Sequence, residues 1–269
     1  MNRNLFRKEM KRHALSLVIW MIVITLLISV TMSAFRTFVE NQSKILGMIS
    51  LIPKGALSFK GVTDINGLFS VLGFYATNNV IYMMLLGSIF AVVISSGILL
   101  KEEYQKTAEY LVSRPLTRSE IFCSKAAVVF VHVLLLNLVT ALAGLVCMLL
   151  VKKEPFSFPA FLVLSLYTFL LNLLFAAAGL LISTLVKRPR PITTVSIGIV
   201  MILYFINTIA KITESISWIG YVSPFHYVRL DVVSPAYSAE LSNLLFFTGF
   251  ILLFSVLSYR LYLRKDIYT

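Results

Sequence analysis

The sequence predicts an all-α integral membrane protein with six transmembrane helices. Hydrophobic residues make up 58% of its 269 residues and charged residues only 13%, whereas soluble domains contain roughly 25% charged residues. Six apolar stretches are each long enough to cross a bilayer, which takes about 20 residues in a helix. The strict alternation of polar and apolar residues that is typical of membrane β-barrels does not occur in the sequence.

The predicted spans follow one another along a single transmembrane domain, residues 1–269. Backbone groups in lipid must be hydrogen-bonded within the protein, so each span is expected to be an α-helix. The spans are predicted at residues 14–35, 75–100, 126–151, 159–185, 192–210 and 243–263.

The distribution of basic residues predicts the orientation of the chain. With the N-terminus inside, 16 of the 24 lysines and arginines lie in inner segments and 8 in outer segments. Basic residues accumulate on the cytoplasmic side of membrane proteins. The distribution therefore predicts a multi-pass protein with both termini in the cytoplasm. It also accounts for the net charge of +12, so we expect no nucleic-acid partner.

Residues 1–13, ahead of the first span, are predicted to form an elbow helix on the inner membrane surface. Its basic residues would face anionic lipid headgroups, while the apolar residues between them rest on the lipid. A solvated basic tail is the alternative. The basic residues in question are Arg3, Arg7, Lys8 and Lys11.

The outer segment at residues 36–74 is too long and too apolar for a plain loop. Its residues Ile45, Met48, Ile49 and Ile52 have the i, i+3, i+4, i+7 spacing of one helix face. This spacing predicts a short helix on the outer membrane surface. The pattern leaves open whether the segment forms one interfacial helix or two.

The second long outer segment, residues 211–242, precedes the last span and is rich in aromatic residues. Trp218, Phe225 and Tyr227 stand close to Pro224 in this segment. Trp and Tyr favour the membrane interface over open water. We therefore expect an interfacial or re-entrant helical hairpin here.

The sequence contains no pattern typical of a catalytic or metal site. It has no phosphate-binding G-x-x-x-x-G-K-[ST] motif and no H-E-x-x-H motif, and its two cysteines, Cys123 and Cys147, lack zinc-ligand spacing. The bodies of the spans contain no Asp, Glu, Lys or Arg, which disfavours an ion-coupled transporter. We therefore expect neither catalytic residues nor a cofactor in this chain.

Polar and small residues inside the spans are interpreted as packing partners. Amide and imidazole groups are expected to bond between helices, and small residues at four-residue spacing are expected to let helices approach closely. A dimer seam is the alternative for the small residues. The polar residues are His132, Asn137, Asn172 and Asn207, and the small ones are Gly87, Ala91, Ser95, Thr140, Gly144, Gly179 and Ser183.

The inner segment at residues 101–125 is the most charged part of the chain. Its first half has no Gly or Pro and should extend the second span until Pro115 turns the chain. Thr117 and Glu120 then form a capping box that starts the next helix. The segment combines apolar residues with surrounding charged ones, a composition that predicts a binding surface for a protein partner. A solvated charged face is the alternative. The apolar residues are Tyr110 and Leu111, and the charged residues are Glu103, Glu109, Arg114 and Arg118.

This inner segment resembles the stretch between spans two and three of ABC transporter permeases of the type-2 membrane family. The family pattern is E…G-T-x-E-x-L-L-x-x-P-x-x-R-x-x-I…K. The likeness extends to the residues before the last span and to the C-terminal end. The matching residues are Glu103, Thr107-Ala108-Glu109-Tyr110-Leu111, Ser113-Arg114-Pro115, Arg118, Ile121, Lys125, Val222–Tyr227, Tyr259, Arg260, Arg264, Lys265 and Asp266.

The resemblance implies the membrane subunit of a bacterial exporter in the cell (plasma) membrane. Such a permease would pair with a second permease chain, identical or related, and with two copies of an ABC ATPase that bind ATP and Mg. The family's coupling helix would map onto residues 107–115, which adds Thr107 and Pro115 to the expected ATPase interface. The resemblance also implies that spans one, two and five line the transport pathway. The candidate lining residues are Thr25, Ser29, Asn79, Phe205 and Asn207.

An uncharged lining favours an amphipathic or hydrophobic substrate over a sugar or an inorganic ion. The short chain without an appended domain is similar to bacterial exporters of peptide toxins, bacteriocins or drugs, so export of a peptide or an antibiotic is expected. The alternatives are the permease of a lipid or polysaccharide exporter and a non-transporting six-span scaffold or sensor.

Overall fold

The computed structural model describes residues 2–49, 66–104, 117–152, 155–186, 192–232 and 237–264. Within these ranges the chain is helical and contains no β-strand, and six helical segments are long and apolar enough to cross a membrane. The predicted all-α membrane fold with six spans is therefore confirmed. The side of the membrane that each terminus faces stays a prediction.

Nine α-helices are assigned within the described ranges, and shorter helical turns connect some of them. A π-helical turn, Tyr75–Asn79, joins α4 to α5, and 3-10 helices occupy Asn66–Phe69, Glu214–Val222 and Pro224–Tyr227. The spans are α1, α4 with α5, α6, α7, α8 and α9. The α-helices are α1 (Arg3–Ser33), α2 (Phe35–Glu40), α3 (Gln42–Ile49), α4 (Val71–Phe74), α5 (Val80–Tyr104), α6 (Arg118–Val151), α7 (Phe158–Leu185), α8 (Ile192–Ile212) and α9 (Leu241–Arg264).

The bundle is organised around the close contact of α5 and α7. A Cβ on Gly87 would lie 2.5 Å from Nδ2 of Asn172, and a Cβ on Gly179 would lie 2.0 Å from Oγ of Ser95. Only glycine therefore permits this approach of the two helices. Around the pair, α6 packs on both helices, α1 lies against α6, α8 against α5, and α9 against α7. These two glycines serve packing within the chain, as predicted.

A polar ladder crosses three helices at the centre of the bundle. The Ser88 hydroxyl of α5 donates to Oδ1 of Asn172 in α7 (3.1 Å). Nδ2 of Asn172 donates to Oδ1 of Asn137 in α6 (3.1 Å), and all three side chains are buried. The predicted bonding between helices is confirmed for Asn137 and Asn172. His132 bonds within its own helix instead, through Nδ1 and the carbonyl oxygen of Val128 (2.8 Å).

The first helix is longer than predicted, because α1 runs without a break from Arg3 to Ser33. The predicted boundary at residue 13 between an elbow helix and a first span is not seen. Residues 3–13 contain no Gly or Pro, so nothing in the sequence ends the helix there. A helix of 31 residues is about 46 Å long, which exceeds the roughly 30 Å hydrocarbon core. The basic N-terminal part therefore extends beyond the core as part of the same helix.

The segment that follows the first span contains two short helices. α2 follows α1 after Ala34, and α3 forms where the spacing of Ile45 and Met48 predicts a helix. Ile52 of the same pattern lies outside the described residues.

The second span contains a π-helical turn, Tyr75–Asn79, between its short first α-helix and the long second one. The Thr77 hydroxyl donates to the carbonyl oxygen of Gly73 (2.9 Å), and Nδ2 of Asn78 donates to that of Phe74 (3.1 Å). These side chains compete with backbone amides for the same carbonyl groups, which favours the wider turn.

The variant Asn172→Ala is expected to lower the stability of the bundle. It removes both interhelical bonds and leaves the Ser88 hydroxyl unpaired, at an expected cost of about 1–2 kcal/mol in the free energy of unfolding. Thermal unfolding in detergent measures the change. Asn78→Ala is the matched control, because the Asn78 amide bonds only within its own helix. Equal unfolding midpoints for the two variants would show that the ladder contributes nothing.

Candidate functional site

The predicted coupling segment lies between the last turn of α5, which contains Glu103, and the first turn of α6. The predicted capping box is present at the start of α6. Oγ1 of Thr117 accepts from the backbone N–H of Glu120 (3.2 Å), whose carboxylate accepts from the N–H of Thr117 (3.0 Å). The other predicted contact residues lie outside the described residues. They are Thr107, Glu109, Tyr110, Leu111, Arg114 and Pro115.

The first turn of α6 is attached to the last turns of α9. Nη1 of Arg118 donates to the carbonyl oxygen of Leu263 (3.2 Å), and a hydrogen bond joins the Ser119 and Tyr259 hydroxyls (3.0 Å). The ring of Phe122 packs on that of Tyr259, 5.4 Å between centroids. Arg118 therefore contacts the last helix of its own chain. Its contact with an ATPase stays a prediction.

A buried lysine joins α6 to the end of α5. Lys125 is fully buried, and its Nζ donates to the carbonyl oxygen of Ile98 (2.7 Å). Removing a charge from water costs several kcal/mol unless the protein supplies partners. The position of Lys125 therefore fixes the two helices that flank the predicted coupling segment.

A buried carboxylate in α1 complements this lysine. Glu9 is only 1% exposed, and Lys125 acts on it by charge attraction. Its Oε1 atom lies 3.8 Å from Nη1 of Arg12, and its Oε2 atom lies 3.5 Å from Nε2 of His13. Near the same helix end, the backbone N–H of Asn2 donates to Oγ of Ser124 in α6 (2.8 Å). The N-terminal part of α1 is thus fixed to the base of α6.

Sequence reasoning missed the role of Glu9 and identified Lys125 only as a residue that matches the family pattern, without its buried contact. The sequence did contain a signal for a buried Glu9. Glu9 follows Leu5 by four residues and shares the buried face of α1 with Leu17 and Ile24. An acidic residue on an otherwise apolar helix face predicts a buried partner of opposite charge. We call Glu9, His13 and Lys125 the basal charge cluster.

The basic residues of the predicted elbow do not share this buried environment. Arg3, Arg7, Lys8 and Lys11 are all exposed on α1. Their exposure is compatible with contact to anionic headgroups, and that contact stays a prediction.

The segment between α8 and α9 re-enters the bundle. Oγ of Ser223 donates to the carbonyl oxygen of Leu203, near the middle of α8 (2.8 Å). Phe225 is fully buried, with ring centroids 5.3 Å from Phe175 of α7 and 5.5 Å from Tyr204 of α8. The tip of the segment therefore packs inside the bundle, and its interfacial or re-entrant position in the membrane stays a prediction.

The predicted residues of this segment occupy two environments. Pro224 is buried at the tip with Phe225, and the ring of Tyr227 stacks on Phe246 of α9 at 3.7 Å. Trp218 is 66% exposed. The segment therefore has one side packed in the protein, while Trp218 and also Tyr221 face outward.

Charged residues hold the returning arm of this segment in place. Arg229 forms ion pairs with Asp231 and Glu240, and the Tyr237 hydroxyl donates to the carbonyl oxygen of Arg229 (3.0 Å). Hydrogen bonds from the Arg229 guanidinium hold the pKa of Asp231 below its ordinary value. The backbone N–H of Glu240 donates to the Tyr167 hydroxyl of α7 (2.8 Å).

The five predicted pathway residues differ in burial. Asn79 and Asn207 are buried, and the Asn79 amide has no hydrogen-bond partner in the described part of the protein. Thr25 is half-buried, whereas Ser29 and Phe205 are exposed. A lining role for the five residues stays a prediction. The described residues contain no group of three or more His, Cys, Asp or Glu that could hold a metal ion.

Comparison with known proteins gives one family match. A sequence model described as ABC-2 family transporter protein matches residues 3–267. None of the curated proteins searched matches the chain.

The basal charge cluster yields a stability prediction. Lys125→Met leaves the carboxylate of Glu9 buried beside fewer cations. We expect this to lower the free energy of unfolding by about 3–5 kcal/mol. In the double variant Glu9→Gln, Lys125→Met the carboxylate is neutral, so the loss should be smaller than the sum of the single losses. Thermal unfolding of all three variants in detergent measures this coupling.

Lys8→Met is the control for this double-mutant cycle, because Lys8 lies on the exposed side of the same helix. It should leave the unfolding midpoint within a degree or so of the parent's, since exposed charges contribute little. Strictly additive effects of the Glu9 and Lys125 substitutions would show that the two side chains do not interact.

Proposed function

The chain belongs to the ABC-2 family of transporter proteins, and on this premise we propose that it is the permease subunit of an ATP-driven exporter. The observation that supports this most directly is the family match over residues 3–267, together with six helices able to cross a membrane. The proposed location is the cell membrane of a bacterium, with both termini in the cytoplasm.

The proposed energy source is a separate ATPase. The sequence has no phosphate-binding loop, and the bodies of its spans lack the charged residues that ion-coupled transporters use. In the proposed complex, two ATPase copies bind ATP and Mg and contact the segment between α5 and α6. The permease chain itself contributes no catalytic residue.

The base of the bundle offers a physical route from this contact to the spans. The segment connects α5 to α6, and Lys125 ties α6 to the carbonyl of Ile98 in α5. Closure of the ATPases would therefore move both helices together as a rigid unit. A tilt of this unit would convert an inward-open cleft into an outward-open one by alternating access.

The proposed permease works as a dimer of identical or related chains. A stripe of large apolar residues runs along one face of α8 and is exposed on a single chain. A second permease chain packed on this stripe would place Phe205 beside the dimer axis, with Ser29 of α1 as a further lining candidate. The exposed residues of the stripe are Val195, Ile199, Ile202, Phe205 and Ile209.

The proposed substrate is an amphipathic or hydrophobic molecule: a peptide toxin, a bacteriocin or a drug. Its support is the chemistry of the candidate pathway, which offers amide, hydroxyl and aromatic groups and no charge. Such a surface would bind apolar groups with a few hydrogen bonds and would exclude ions that keep their hydration shells.

Purification of the tagged full-length chain from its native membrane tests the proposal. We expect a P-loop ATPase to co-purify in equal amount, and amphipathic cationic peptides to stimulate its ATP hydrolysis more than lipids do. Glu109→Lys combined with Tyr110→Ala should reduce this stimulation by about tenfold, since central anchors dominate interfaces. Glu40→Lys is the matched charge reversal, because Glu40 lies at the end of α2, far from the coupling segment.

The outcomes separate the parts of the proposal. If no ATPase co-purifies, the exporter assignment fails and the scaffold or sensor alternative is favoured. If an ATPase co-purifies but responds to lipids and to no peptide, the substrate class is wrong while the permease role stands.

A further inference from the structure

A cavity lies at the end of the bundle opposite the α5–α6 connection. Its volume is about 400 Å³, within the roughly 300–1,000 Å³ of small-molecule sites. Its walls come from α2 and α3, the start of the second span, the connection between α6 and α7, and one residue of the arm that leads to α9. The lining residues are Phe35, Arg36, Val39, Gln42, Phe69, Ser70, Val71, Leu72, Val151, Pro155, Phe156, Ser157 and Val232.

The inner walls of this cavity are apolar. Phe35, Val71, Leu72 and Val232 are each less than a tenth exposed. None of the described residues that line the cavity is acidic. Hydrocarbon therefore fits this space, whereas an inorganic anion would lose its hydration without compensation from these walls.

One side of the cavity is positively charged. Arg36 is the one charged residue among the described residues of the lining, and its side chain is exposed. Nη2 of Arg36 donates to the carbonyl oxygen of Leu150 at the end of α6 (3.2 Å). No carboxylate in the described part of the chain pairs with this guanidinium, so its other N–H groups face outward without an acceptor among those residues.

A helix terminus adds to this positive side. Ser157 lines the cavity and caps α7, a helix of 28 residues. The N-terminus of a long helix has a partial positive charge. Arg36 and this terminus border a cavity with apolar walls, at a level where spans begin and end. Phospholipid headgroups lie at that level, and a guanidinium group forms charge-assisted hydrogen bonds with phosphate oxygens.

We propose that this cavity binds an anionic phospholipid of the adjacent leaflet. The phosphate accepts hydrogen bonds from the Arg36 guanidinium, and part of one acyl chain lies against Phe35, Val71 and Leu72. The site does not depend on the proposed transport function, because its ligand comes from the bilayer and needs no ATPase.

Native mass spectrometry of the purified full-length chain tests this site, with phosphatidylglycerol, phosphatidylcholine and inorganic phosphate as separate probes. Arg36→Gln is expected to weaken phosphatidylglycerol binding about tenfold, the effect of losing a charge-assisted contact, and to weaken phosphatidylcholine binding less, because the phosphate of that lipid is already balanced by its own choline cation. Arg36→Lys keeps the charge and should retain most of the binding. Lys44→Gln is the matched control, because Lys44 lies in the neighbouring α3 and does not line the cavity.

A second variant tests the apolar walls. Val39→Trp fills the cavity from a half-buried position and should reduce binding of both phospholipids while the unfolding midpoint stays near that of the parent. If Val39→Trp unfolds the protein, the comparison of the Arg36 and Lys44 variants still tests the headgroup contact.

Three results would overturn the proposal. Equal losses of phosphatidylglycerol binding in Arg36→Gln and Lys44→Gln would indicate general attraction of the lipid to a basic surface. Phosphatidylglycerol binding unchanged by Arg36→Gln would exclude the guanidinium as the headgroup partner. Inorganic phosphate bound as well as phosphatidylglycerol would exclude a role for the apolar walls.

Discussion

The packing of α1, α5 and α6 at the base of the bundle depends on the buried ammonium group of Lys125. A fully buried charge requires partners from the protein, and those of Lys125 belong to other helices: the carbonyl of Ile98 in α5 and the carboxylate charge of Glu9 in α1. Three helices must therefore keep their relative positions around one cation. Because α5 and α6 flank the predicted coupling segment, we expect a force on that segment to reach all three helices together.

Different interactions hold the helices together at the centre of the bundle. The base uses charges, whereas the middle uses neutral hydrogen bonds and close packing, through the Asn172 amide and the glycine contacts of α5 with α7. Neutral groups cost less to bury in a membrane than ions do. The buried tip at Phe225 packs on α7 and α8, so we expect movement of the central pair to be transmitted to the opposite end of the protein.

Features set by local sequence were predictable, and features set by tertiary contacts were not. Hydropathy located the six spans, and the spacing of Thr117 and Glu120 located the start of α6, because both depend on neighbours along the chain. The elbow boundary was placed at a change in composition, but a helix continues until a residue breaks it. The pairing of Glu9 with Lys125 joins residues distant in sequence. The family resemblance selected Asn79 and Phe205 as lining candidates without indicating that one is buried and the other exposed.

Pulsed electron paramagnetic resonance can measure directly whether the base of the bundle moves as one body. One spin label would sit on the exposed Cys123 of α6 and one on Arg7→Cys of α1, with Cys147→Ala removing the other cysteine of the chain. In the complex with its ATPase, we predict one narrow distance distribution that is the same with and without ATP, and a broadened one in Lys125→Met. A distribution that shifts when ATP is added to the parent complex would show that α1 and α6 move independently.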